Sequence, residues 1–380
     1  MEQKIPVVAS ILNTTILVVV IASAIIQGVQ GIEIGVNYGT VANNLPPPAK
    51  VAKFLSKSTT INRVRLFDAN PEILHAFGDT GIEVTITVPN DQIPHITNVT
   101  YAQQWVKTNV QPFIPKTKLI RILVGNEVLS TANKLLISNL VPAMQTLHIA
   151  LVSASLDHSI KVSTPHSLGI LSNSSPPSSA KFRQGYDTHV LKPMLNFLRD
   201  SNAPFMVNPY PFFGCSSTTI DYAVFRTNSG VFDDNTKLQY TNMLDAQLDA
   251  VYSAIKVLGF EDVEIVIAET GWPSVGDPAQ LGVDPKTASE YNGNLIRHVT
   301  SGVGTPLMPN RTFDTYIFAL FDENLKPGPI YERNFGLFWP NMTLVYDIPI
   351  MRNNVAGVAN SHCKAFLSII VVLSLICAWL

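Results

Sequence analysis

Cysteine is nearly absent, with three in 380 residues, too few for a disulfide framework. Two of them, Cys363 and Cys377, fall in or beside an apolar C-terminal run. That leaves Cys215 alone in the body of the chain, expected as a buried, unpaired thiol. Charge is scarce as well, at 14% of residues with a formal net charge of -2, so the basic patch that nucleic acid demands is missing. His75, His166 and His189 do not stand at metal-ligand spacing and no Cys/His cluster exists. Neither a metal nor any other cofactor is expected. No Gly-x-Gly-x-x-Gly loop follows the first strand, which weakens a doubly wound nucleotide fold. No repeat of solenoid length recurs either. Apolar residues, by contrast, make up 46% of the chain, beside 26 prolines. That is ample for one large core, and it reads as a loop-bearing extracellular globular protein rather than a disordered one.

Both ends read as processing signals. Met1 to Gly31 carries Lys4, an apolar run through Ile16–Ile21, and Val29-Gln30-Gly31 where a signal peptidase would cut. Ala365 to Leu380 is apolar to the last residue, preceded by small residues and a short polar spacer through His362 and Lys364. That order matches a glycosylphosphatidylinositol attachment signal, with the site near Asn354 or Gly357. At about sixteen residues the tail is short for a membrane span. The expected arrangement is a leader at 1–31, one catalytic domain at 32–350 and a tail at 351–380. The mature protein would be a monomer held outside the cell by its lipid. Asn98, Asn173, Asn310 and Asn341 head possible glycosylation sequons.

Between the ends, short apolar strands alternate with helical stretches. Strands are expected at Ile34–Tyr38, Arg63–Asp68, Glu83–Val88, Leu119–Val124, Ile160–Thr164, Phe205–Tyr210, Val263–Glu269 and Thr315–Phe321. Helices are expected at 49–56, 71–77, 101–110, 139–150, 190–199, 240–258 and 287–300, the sixth marked by Leu244, Leu248, Val251 and Ile255 on one face. Eight strands alternating with helices over about 300 residues is the pattern of an α/β fold, the (β/α)8 TIM barrel.

Two of these strands end in a carboxylate. The fourth stops at Gly125 and presents Asn126-Glu127; the seventh runs Ile267-Ala268-Glu269 into Thr270-Gly271-Trp272. Catalytic groups of such a barrel project from C-terminal strand ends, and strands four and seven lie nearly opposite. A carboxylate at the mouth of a buried strand needs partners or a task, because desolvating it is costly. Two carboxyls facing each other across an aromatic-lined mouth are what glycoside hydrolysis requires.

These stretches carry a resemblance. Gly35-Val-Asn-Tyr38-Gly39, Arg63-Val-Arg65-Leu-Phe67, Val124-Gly-Asn126-Glu127-Val128, Ala268-Glu269-Thr-Gly-Trp272-Pro-Ser274 and Phe318-Ala-Leu-Phe321-Asp-Glu323-Asn-Leu-Lys326 resemble family 17 of the glycoside hydrolases, the plant endo-1,3-β-glucanases. They run in family order over nearly the whole mature chain, with Thr270 where the family usually has serine.

The resemblance implies a retaining endo-hydrolase of 1,3-β-glucan, with Glu127 as general acid/base and Glu269 as nucleophile. It also implies a contact from Asn126 to the sugar 2-hydroxyl, the alternative being a helix cap. Arg65 is expected to hold Glu269 ionised or to serve as a barrel-end salt bridge. Glu323 and Lys326 would bias the carboxylates or form a surface ion pair. Tyr38, Tyr210, Phe213, Trp272 and Phe321, at or just after strand ends, are candidate platforms for the apolar faces of sugar rings. A mixed-linkage 1,3;1,4-β-glucanase, a transglycosylase and a non-catalytic glucan-binding wall protein are the competing readings.

Overall fold

The computed structural model describes residues 34–352. The leader, the apolar tail, the lipid attachment region, Cys363 and Cys377 lie outside the described residues. The barrel strands are β1 (Ile34–Tyr38), β2 (Ile61–Leu66), β3 (Glu83–Val88), β4 (Lys118–Val124), β5, β6 (Phe205–Asn208), β7 (Ile265–Thr270) and β8 (Thr315–Ile317). β5 is broken into two segments. Lys161–Ser163 pairs with β4 and Pro165–Ser167 with β6, leaving Thr164 between them, its hydroxyl on the Val124 carbonyl at 2.8 Å. Every pairing among the barrel strands is parallel, β1 joins β8, and the two segments of β5 carry the sheet round to its start.

The α-helices longer than four residues are α1 (Pro48–Ser58), α2 (Pro71–Ala76), α3 (Val99–Asn109), α4 (Lys134–Ser153), α5 (Lys192–Asp200), α6 (Met243–Val257) and α7 (Pro285–Val299). α4 starts five residues before the expected Asn139, because Asn133 caps it by accepting from the amides of Leu135 and Leu136. Pro142 sits inside the helix. β8 is shorter than expected. After Ile317 its bonds leave the ladder: the Phe318 amide reaches Thr270, the Ala319 amide Phe335 and the Leu320 amide Asn37.

Apolar faces of strands and helices form one continuous core, and the barrel interior is a separate small cluster of Leu123, Met206, Val266, Ala268 and Tyr316. Period-2 alternation puts Arg63 and Arg65 of β2 on the same face, one below and one above that plug. Below it Arg63 pairs with Glu83 at 2.8 Å and Asp314 at 3.3 Å, while Arg121 pairs with Asp314 at 2.6 Å. The Tyr316 hydroxyl is shared with Thr85 at 3.1 Å and receives Arg121 at 3.3 Å. Tyr316 fits because its β1 neighbour is Gly35, where an added Cβ would lie 2.6 Å from the ring. Gly35→Ala is therefore expected to cost about 1–3 kcal/mol of overpacking, read as a lowered urea midpoint. An unchanged midpoint would mean that the ring can yield.

Candidate active site

Glu127 and Glu269 stand where the barrel opens, and each is aimed by a local departure from regular strand. At the end of β4 the chain turns twice through left-handed backbone, with φ +71° at Gly125 and φ 49° at Glu127. Only glycine reaches that region without strain, so Glu127 holds a conformation that its surroundings must impose. They do so through backbone bonds. The Glu127 amide donates to Pro165 on β5 at 3.0 Å. Asn90, beyond β3, accepts from the Asn126 amide at 2.7 Å and donates to its carbonyl at 3.1 Å.

On β7 the aiming device is a register shift. Ile267 lies opposite Thr315 of β8, but Thr270 lies opposite Ile317, so three steps on one strand match two on the other. An extra residue of this kind re-aims a side chain and frees a backbone group from the ladder. The Ala268 carbonyl takes side-chain donors, Asn37 at 3.0 Å and Arg65 at 3.1 Å.

The two carboxyls differ in dress. Glu269 accepts on both oxygens, from Arg65 at 2.6 Å and from the Tyr210 hydroxyl at 3.0 Å. Arg65 is fully buried; its other arm donates to the Asn126 side-chain oxygen at 2.6 Å, and its guanidinium lies 4.7 Å from the centre of the Phe67 ring. Asn126 is thus bound to Arg65 rather than capping a helix, and its own amide N–H groups remain for a ligand. Among the described residues Glu127 has a single side-chain donor, Asn208 at 2.7 Å. Burial first, then the charge of Glu269, pushes the Glu127 carboxyl above the ordinary carboxylate range; the Asn208 bond and Arg65 oppose the shift, and Glu332 adds to it. Tyr210 is pushed well up by burial and by Glu269, so it stays a neutral donor. One short stretch, Asn208-Pro209-Tyr210, therefore hands a donor to each carboxyl.

The aromatic expectations divide. Tyr210 lies at the centre of an edge-to-face group with Phe318 and Phe335, at 6.4 and 6.0 Å, and Phe213 beside it at 5.4 Å is 57% exposed. Trp272, expected to face sugar, does not: it is fully buried, packed on Phe212 and Tyr291, with its indole N–H on the Gly282 carbonyl at 2.7 Å. Phe321 is likewise core, edge-on to a buried Tyr38 at 6.1 Å. The reason is shared. Both stand after their strand has ended and join the continuous apolar core, where burial removes their apolar area from water.

Glu323 and Lys326 do not pair with each other through their side chains. Glu323 is buried and braces the β1 loop by accepting from the Val41 amide at 2.9 Å, in space that Gly39 leaves open. Lys326 reaches Glu332 at 3.2 Å and stands 4.4 Å from the centre of the Phe318 ring, so it touches the aromatic group rather than a carboxyl of the pair.

Asn208, Asn37, Asn90 and Glu332 escaped the sequence reading. Asn208 and Asn37 could have been found by the rule that found Glu127, since each is a polar residue at or near the end of an apolar strand. Glu332 offered no such signal.

A model for "Glycosyl hydrolases family 17" matches residues 34–350. A glucan endo-1,3-beta-glucosidase of Triticum aestivum is 50% identical over 330 residues, 86% of this chain and 71% of that protein. Glucan endo-1,3-beta-glucosidase 7 of Arabidopsis thaliana is 49% identical, over 84% of this chain and 64% of its own length. Among solved structures, CJP38, a beta-1,3-glucanase and pollen allergen of Cryptomeria japonica, superposes with a TM-score of 0.79 at 42% identity, covering 83% of this chain and 98% of that one.

Asn208 tests the acid end of the site. Its N–H bond favours the ionised form of Glu127, so Asn208→Ala lets the carboxyl hold its proton to higher pH. The alkaline limb of the rate profile should move up while kcat falls about 10- to 100-fold from lost positioning. A limb that moves down would contradict the assigned direction.

Proposed function

Because the chain belongs to glycosyl hydrolase family 17, we propose that it is a retaining endo-hydrolase of 1,3-β-glucan, with Glu127 as acid/base and Glu269 as nucleophile. The unequal dressing of the two carboxyls carries the reading. Glu127, raised by burial and by the neighbouring charge, is suited to hold a proton; Glu269, donated to by Arg65 and Tyr210, is suited to act as a carboxylate. In the first step Glu127 gives its proton to the glycosidic oxygen as that oxygen leaves C1, and Glu269 bonds to C1 from the opposite face. In the second, Glu127 takes a proton from water, the water oxygen bonds to C1, and Glu269 departs. Two inversions retain the configuration.

Once Glu269 has become a neutral ester its charge no longer supports the Glu127 proton, so the acid becomes a better base when a base is needed. Asn126, fixed through its oxygen by Arg65, directs its N–H groups at the sugar 2-hydroxyl, a bond that strengthens in the transition state. Phe213 and Tyr210 form the apolar wall against which a ring face packs.

Glu127→Gln should lower laminarin hydrolysis by about 10²–10⁴-fold while sparing glycosyl-enzyme formation from a dinitrophenyl laminaribioside, whose leaving group needs no proton. Azide should then rescue turnover as the β-azide. With Glu269→Gly, azide replaces the nucleophile and should yield the α-azide. Proton resonance assigns the anomers: swapped products reverse the two roles, and no response from either variant removes the two-carboxylate reading.

The reading extends to a glycosylated enzyme tethered by lipid at the outer cell surface. The leader at 1–31 and the apolar run Ala365–Leu380 support it, as do the sequons at Asn98 and Asn341, whose asparagine and threonine are exposed at the start of α3 and in a loop. Phosphatidylinositol-specific phospholipase C should release active enzyme from membranes, and removal of Ala365 onward should give secreted, active protein. Activity that stays on the membrane after the lipase would point to a spanning tail.

A further inference from the structure

A cavity of about 260 Å³ opens on the rim of the barrel between α2 and α3, apart from the two carboxyls. Its walls include Asp68 and Asn70 from the β2 loop, Pro89 and Gln92 from the β3 loop, and Trp105 and Asn109 from α3. Each polar group here is half committed. Asp68 accepts the Asn70 amide on Oδ1, and Asn70 caps α2 with its oxygen. Gln92 accepts the Trp105 indole N–H at 3.2 Å, and Asn109 donates to the Trp105 carbonyl at 3.0 Å. Among the described residues no protein partner takes the other halves. These are two acceptors, Asp68 Oδ2 and Asn109 Oδ1, and two donors, Asn70 Nδ2 and Gln92 Nε2, beside an apolar wall of Pro89 and Trp105.

That inventory selects a ligand class. No Lys, Arg or His lines the cavity, so nothing neutralises a phosphate or carboxylate. One carboxylate without a second ligand cluster does not make a cation site. Mixed donors and acceptors around an aromatic wall, in a space of one small ring, suit a neutral polyol whose hydroxyls both give and accept. The position suits a polymer as well. The β3 loop that supplies Pro89 and Gln92 also supplies Asn90, which holds Asn126 by two bonds on the cleft side, so one short loop separates this cavity from the site of cleavage.

We propose that this cavity is a second sugar-binding site, which holds one glucosyl unit of a 1,3-β-glucan outside the catalytic cleft; the choice of glucan rests on the function proposed above. The site gives the barrel its own grip on polymer.

The test uses the full chain carrying Glu269→Gln, so that oligosaccharides survive, with indole resonances of 15N-labelled tryptophan as the readout. Laminarihexaose should shift the Trp105 indole peak along a saturating curve, and glucose should shift the same peak at higher concentration. Adding Asp68→Asn turns a charged acceptor into a donor and should weaken the Trp105-reported affinity about tenfold. Gln92→Ala serves as the second variant should the first not fold. An immobile Trp105 peak overturns the site. So does a curve whose midpoint is the same in Asp68→Asn, since the shift would then be relayed from the cleft. Laminarin hydrolysis by the unaltered enzyme is measured in parallel. Hydrolysis with an immobile Trp105 overturns this site alone; a Trp105 response to glucose without hydrolysis supports a sugar site and overturns the hydrolase reading.

Discussion

The buried guanidinium of Arg65 is the point through which the mouth of the barrel is tied together. From β2 it reaches the Glu269 carboxylate, the Ala268 carbonyl and the Asn126 side chain, and it stacks on Phe67. A planar fork with fixed N–H directions can bridge β4 and β7 in this way; a lysine ammonium carries its three donors on one nitrogen and lacks that span. The bridge is also a commitment. Removing one member of a buried, hydrogen-bonded pair leaves the other charge uncompensated, typically at about 3–5 kcal/mol. The electrostatic arrangement of the site and the integrity of its upper layer are therefore one interaction. Glu127, outside this direct embrace, takes a neutral amide as its side-chain donor, and that asymmetry separates the two carboxyls chemically.

Much of the fold was legible because parallel barrel strands are short, apolar and bounded by breakers, and because helices between them carry a 3.6-residue stripe. The strands at 34–38 and 83–88 fell where the pattern put them. The misses have local causes. β8 was read through to Phe321 because Phe318–Phe321 is as apolar as a strand, yet its amides bond to Thr270, Phe335 and Asn37 in an irregular descent. α4 was clipped at its start, where the Asn133 cap begins the helix five residues before the expected Asn139.

The carboxyls were legible as polar interruptions at strand ends. What surrounds them was less so. Trp272 and Phe321 show why: an aromatic after a strand has two apolar destinations, mouth and helix layer, and composition does not distinguish them. Asn208 was read as one more residue of the expected strand Phe205–Tyr210, whereas the strand ends on it and its side chain faces Glu127. The polar layer beneath the plug, built by Arg63, Glu83, Arg121 and Asp314, draws on β2, β3, β4 and the approach to β8, a convergence visible only once the sheet has closed.

The shift on β7 means that the aim of Glu269 is held by a count as much as by chemistry. Side chains on a strand alternate faces, so a single residue more or less inverts everything downstream. Between Ile267 and Thr270 the barrel carries one residue beyond what the neighbouring strand matches, and it is this surplus that lets Ala268 and Glu269 both serve the interior. Exchange of Thr270 for serine would keep a hydroxyl beside Tyr291 and leave that count unchanged. Loss of one position in that span would turn an intact glutamate toward the helices. The length of this segment therefore constrains the site more tightly than the identity of any one residue beside the glutamate.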